Sequence, residues 1–135
     1  MSQENVEAFK RGVEAMNRGD IEVMLEVCDP EVAWRDAINV MFGGEATMYQ
    51  GHAAVRELFR DLYESFSDID ADYRDFKDLG ERLVSLGQLR MRGKESGAET
   101  ESPVAALTEW RDGKVIRVLT YLDHAEALEA AGLRE

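Results

Sequence analysis

The apolar residues of this chain change their period once, at Ser67, and that change limits what the chain can fold into. Val55, Leu58, Phe59, Leu62 and Phe66 recur at three- and four-residue spacing, with Arg56, Glu57, Arg60, Asp61 and Glu64 on the other side. That pattern predicts an amphipathic helix from His52 to Phe66. Beyond it, Asp68, Asp70 and Asp72 alternate with Ile69, Ala71 and Tyr73, the two-residue period of a strand with one wet, acidic face. Three further strands are expected at Arg82 to Arg92, Thr100 to Trp110 and Val115 to Leu122. Arg111-Asp112-Gly113-Lys114 joins the last two as a hairpin turn with Asp-Gly at its centre. Sequential strands with hairpin connections predict a mostly antiparallel sheet with helices collected on one face, an α+β fold.

The first third reads as helix. Val6, Phe9, Val13 and Met16 form one stripe, Gly19 closes the helix, and Asp20 caps a second whose stripe is Ile21, Met24, Leu25 and Cys28. After Asp29-Pro30 comes a strand on which Val32, Trp34 and Asp36 point one way and Ala33 and Arg35 the other. Ala37 to Gln50, with Gly43, Gly44 and three hydrophobes in no clear period, reads as a long loop lying over something, and loops of that length are often functional. Asp123 is expected to cap a short final helix whose apolar side is Ala127, Leu128 and Ala131.

At 135 residues the chain is expected to be one domain, 1–135, large enough for its own core. With 28 acidic against 16 basic residues the net charge is -12, which argues against nucleic acid or an anionic membrane surface as partner. The lone Cys28 excludes an internal disulfide, and two distant histidines do not build a zinc site. Asp68, Asp70 and Asp72 invite a calcium reading, but the loop that binds calcium needs Gly at its sixth position and Glu at its twelfth. Tyr73 and Leu79 stand there, so the triplet is better explained as a solvated strand face. With no phosphate-cradling glycine loop and no ligand cluster, no cofactor is expected. The longest apolar run, Pro103 to Leu107, is too short to span a bilayer, and the first residues lack a signal-peptide pattern, so a cytoplasmic location is expected.

Asn17-Arg18-Gly19-Asp20, Trp34-Arg35-Asp36, Gly51-His52-Ala53-Ala54-Val55-Arg56, and Arg111-Asp112-Gly113-Lys114-Val115-Ile116 before Tyr121-Leu122-Asp123 occur in that order. With the closing segment Ala125 to Leu133, this resembles the SnoaL-like branch of the nuclear-transport-factor-2-like superfamily along nearly the whole chain. The resemblance implies a cone, a curved sheet wrapping helices around a pocket. It also implies relatives as different as ketosteroid isomerases, polyketide cyclases, epoxide hydrolases and proteins without known activity, so fold does not fix function. It further implies a homodimer through the outer sheet face, where Leu107 and Leu119 are expected to lie.

Asp36 is the sharpest candidate for chemistry. It shares a strand face with Trp34, and a carboxylate beside an apolar wall has its pKa raised toward a useful acid or base. Its position also resembles that of the ketosteroid isomerase base. The alternative is a strand-end Asp bonded to loop amides. The isomerase's oxyanion donors, a Tyr and a protonated Asp, correspond by count to positions near Gly12 and Ala106, which carry no donor. The acid of polyketide cyclases falls near Thr120, a hydroxyl, and Arg90 could supply only part of the hydrolases' Asp-Arg-Asp set.

Among the aromatic and methionine residues, Phe9, Met16, Trp34, Met41, Phe42, Tyr63 and Phe66 are candidates to line the cone, with His52 beside the long loop. Parity from the hairpin groups Ala106, Thr108 and Trp110 with Ile116, Val118, Thr120 and Leu122 as inward-facing, and a slip of one residue would reverse this. Two functions stay open. One is binding of a small hydrophobic molecule, with isomerase, cyclase/lyase or hydrolase chemistry at Asp36. The other is a non-catalytic ligand-binding or dimeric interaction module.

Overall fold

A computed structural model of the chain describes residues 2–133. Helix α1 (Ser2–Asn17) turns through Gly19, whose φ of +80° suits glycine, into α2 (Ile21–Glu26), capped by Asp20 accepting from the Val23 N–H at 3.3 Å. β1 (Cys28–Asp36) leads through the single-turn α3 (Ile38–Met41) to the short β2 (Thr47–Gln50) and α4 (Gly51–Ser65). Four strands follow: β3 (Phe66–Asp78), β4 (Arg82–Gly93), β5 (Glu99–Arg111) and β6 (Lys114–Tyr121). The chain then enters α5 (His124–Ala130). The segment read as a loop thus holds a helical turn and an edge strand. Cys28 opens β1 rather than closing α2, and Phe66 opens β3 rather than ending α4.

One open six-stranded sheet has the order β2-β1-β6-β5-β4-β3. β1 and β6 run parallel and every other neighbouring pair is antiparallel. The α4 stripe is buried against it: Val55, Leu58, Phe59 and Leu62 join Leu83, Leu89, Met91, Val104 and Val118 in the main core. Burying each such side chain contributes roughly 1.5–3 kcal/mol, which is why a polar-faced helix stays on the sheet. On β3, Ile69 and Ala71 are buried and Asp68 and Asp72 exposed, as the alternation predicts.

Two expectations need correction. The helices do not all collect on one face. α5 lies on the other, where Ala127 and Ala131 pack with Val84, Leu86, Ala105 and Leu107 in a second core, so Leu107 is covered within the chain. Arg82 helps hold it there by donating to the Ala131 carbonyl at 3.1 Å. The inward parity of β6 also shifts. A bulge between Glu109 and Trp110 sets Trp110 opposite Val115, so Val115 enters the main core and Ile116 does not.

Candidate functional site

A cavity of about 70 Å³ lies between the first two helices and the inner face of the sheet. α1 brings Phe9, Gly12, Val13 and Met16 to it, because these repeat at helical spacing on the buried side. Met24, Val27 and Cys28 come from α2 and the start of β1, with Trp34 further along that strand. Tyr73 of β3, Ala106, Thr108 and Trp110 of β5, and Val115, Val118 and Thr120 of β6 complete the wall. The T-shaped contact of Trp34 with Phe59, centroids 5.4 Å apart, fixes the indole against α4.

The polar groups in this wall are mostly turned onto the protein. Trp110 Nε1 donates to Thr108 Oγ1 at 2.8 Å, and Thr108 Oγ1 donates to the Leu83 carbonyl at 3.3 Å. Thr120 Oγ1 donates to the Arg35 carbonyl at 2.8 Å, tying β6 to β1. Cys28 Sγ faces the Met24 carbonyl at 3.7 Å, and burial pushes its thiol up to about 12, so it stays un-ionised. What remains is an apolar hole.

Asp36 shares its strand face with Trp34 and is buried, 3% exposed, but it does not line this cavity. Its Oδ1 accepts from the Ile38 N–H at 3.1 Å in the turn that leads into α3, whose N-cap is Ala37. Its Oδ2 is buried with no partner among the described residues. Burial raises its pKa, and the backbone amides of Ile38 and Asn39 pull against that. Tyr49, paired with Trp34 across β1 and β2, has its phenol pushed up by burial and then by the Asp36 carboxylate.

Of the expected lining residues, Phe9, Met16, Trp34, Thr108, Val118 and Thr120 meet at the cavity, and the rest stand elsewhere. Met41 lies in α3, and Phe42, 56% exposed, stacks on Phe66 with centroids 5.6 Å apart. His52 Nε2–H donates to the Cys28 carbonyl at 3.0 Å, pinning α4 to β1. Tyr63 donates its hydroxyl to the Met16 carbonyl at 2.8 Å, and Leu122 follows the end of β6. Arg90 points to the outer face and pairs with Asp70 at 3.2 Å, so it is no partner for Asp36. Gly12 and Ala106 do face the cavity, and neither offers a donor. Sequence reasoning missed Tyr73 and Val115 as lining. The alternation Ile69, Ala71, Tyr73 carried the first signal, whereas the bulge behind the second left none.

Comparison with known proteins gives the same fold. A TM-score of 0.79 at 21% identity relates the chain to an NTF2-like protein of unknown function from Burkholderia pseudomallei, covering 93% of this chain and 95% of that one. TerC, co-crystallised with polyporic acid, superposes at 0.78 with 23% identity over 93% of this chain and 96% of its own. An NTF2-like protein from Burkholderia xenovorans is 28% identical, with a TM-score of 0.71 and 97% of each chain covered. No curated protein matches the chain. The fold is that of the NTF2-like superfamily. Residues 9–118 match the SnoaL-like domain, and the chain belongs to that family.

Proposed function

We propose that this SnoaL-like chain binds a compact hydrophobic molecule in the cavity between α1, α2 and the sheet. The observation that supports this is the wall itself, mostly apolar, with both threonine hydroxyls and the Trp110 indole already bonded to protein. Side chains facing a void lose dispersion contacts, and an apolar guest restores them without breaking a protein hydrogen bond. An apolar cavity of about 150 Å³ admits benzene. One of about 70 Å³ therefore suits a guest smaller than benzene or the end of a longer hydrophobic molecule.

The test is a methyl-resolved NMR titration with isobutene, a hydrocarbon smaller than benzene. Shifts concentrated at Val13, Val27, Val115 and Val118 are the expected result, and unchanged spectra up to aqueous saturation overturn the proposal. The net charge of -12 supports a small-molecule partner over nucleic acid or an anionic membrane, and no described helix is long and apolar enough to cross a membrane. Homodimerisation through the outer sheet face belongs to the same reading. With Leu107 covered by α5, its apolar centre falls to Leu119 and Tyr121. Light scattering that returns a monomer at micromolar concentration overturns that part.

Acid–base chemistry at Asp36 is the second reading, an isomerase, lyase or hydrolase step. One observation favours it: a buried, unpartnered Oδ2 on a carboxyl whose pKa burial has raised. Replacing Asp36 with Asn keeps the acceptor for Ile38 while removing the proton. Turnover of any substrate found for this chain is then lost with binding intact, and retained turnover rejects this reading.

A further inference from the structure

Trp34 and Tyr73 line the cavity, and neither the indole nitrogen nor the phenol hydroxyl makes a hydrogen bond among the described residues. Both are donors toward a neutral acceptor. The fold takes unusual care in placing Tyr73. A bulge in β3 between Tyr73 and Asp75 breaks the register with β4, setting Tyr73 opposite Gly87 and Asp75 opposite Leu86. The extra residue keeps Tyr73 and Phe76 both inward, edge-on to Phe9 at 5.0 and 6.2 Å between centroids. Gly87 is required for that approach, because a Cβ there would sit 2.1 Å from the Asp72 carbonyl oxygen. Bulges re-aim the side chains beyond them, and this one turns Phe76 to the side of Tyr73, which lines the cavity. Burial drives the Tyr73 pKa well above the usual phenol range, so the hydroxyl keeps its proton.

Resting on the reading of this cavity as a ligand site, we infer that Tyr73 is its polar anchor. The ligand is then a compact hydrophobic molecule presenting one neutral acceptor, a carbonyl oxygen, to the Tyr73 hydroxyl. A donor that a guest covers without pairing is costly, so such a ligand gains where an isosteric hydrocarbon does not. The ring of Phe9 and the aliphatic wall hold the remainder by contact.

The probes are acetone and isobutene, which share a shape and differ in the acceptor. Their dissociation constants are measured by NMR on wild type, Tyr73→Phe and Trp34→Phe, each shown to be folded by its methyl spectrum. The ketone-to-hydrocarbon affinity ratio is expected to fall about tenfold in Tyr73→Phe, equivalent to about 1.4 kcal/mol, with hydrocarbon affinity retained. An unchanged ratio in Tyr73→Phe overturns the anchor, and a fall in Trp34→Phe alone assigns the role to the indole instead. Failure of both probes to bind wild type rejects the ligand site itself, which separates the two failures. Should Tyr73→Phe fail to fold, the ketone's chemical-shift effect on the wild-type Tyr73 hydroxyl-bearing carbon decides: a ketone-specific shift supports the anchor, and its absence overturns it.

Discussion

The side-chain amide of Asn17 pairs with both backbone groups of Ala71, donating to its carbonyl at 2.9 Å and accepting from its N–H at 2.9 Å. Ala71 lies in β3, the edge of the sheet, so its free side has no strand to bond. Asn17 stands in for one, and fastens the end of α1 to the strand that carries Tyr73. Asn17→Ala is expected to lose about 1–3 kcal/mol in urea unfolding, because two half-buried backbone groups lose their partners. Asn17→Asp keeps only the acceptor and sets a carboxylate against the Ala71 carbonyl, so it should not restore the loss.

Asp36 gives a pH dependence with a definite sign. Burial raises its folded pKa above the ordinary value of 3.8, so the folded chain binds this proton more tightly than the unfolded chain. The stability it contributes is complete below 3.8 and is lost as pH rises through the folded value. Asp36→Asn should therefore gain stability relative to wild type as pH climbs to neutrality. Unfolding midpoints across that range check the trend, and a carboxyl NMR titration giving a pKa below 3.8 contradicts it.

Thr108 serves two partners at once, the Trp110 indole and the Leu83 carbonyl. Thr108→Val keeps the shape and leaves a buried N–H unsatisfied. The expected cost is about 1–3 kcal/mol, read from denaturant midpoints. Hydrocarbon binding in the neighbouring cavity should persist.

Gly12 and Gly87 should respond to alanine with opposite signs. A Cβ at Gly12 meets only ordinary contacts, the nearest 3.7 Å away on Val27, and the site is a helix interior. Gly12→Ala is expected to stabilise by about 0.5–1 kcal/mol while narrowing the cavity and weakening guest binding. Gly87→Ala forces a Cβ into the Asp72 backbone and should cost about 3 kcal/mol or more. Thermal unfolding of the two variants separates them.

Cys28 is 5% exposed and its thiol is pushed up to about 12 by burial. A thiol held protonated is a poor nucleophile. Alkylation by iodoacetamide near pH ~8 should be slow in the native protein and track the unfolded fraction as urea is added. Fast labelling without denaturant would contradict the burial of the cavity floor.

How far the sequence went depended on the range of the interaction involved. The helical stripe of α4, the wet and dry faces of β3, the Asp20 cap and the burial of Asp36 beside Trp34 were all legible, because each follows from residues within a few positions. Periodicity reports which side of an element is apolar, and hydrophobic burial acts on that side wherever the element packs. The tertiary structure alone decided the remainder. Bulges at Glu109/Trp110 and Tyr73/Asp75 each add one residue to one strand, which resets parity beyond them, bringing Val115 to the cavity and Phe76 to the same side as Tyr73. The landing of α5 on the outer face, covering Leu107, depends on which of two apolar sheet faces it meets. Asp36, at the right strand end, turned to the α3 amides because the chain doubles back there within three residues. Register and packing between distant segments set these outcomes, and a pattern read along one strand carries no record of the residue opposite it.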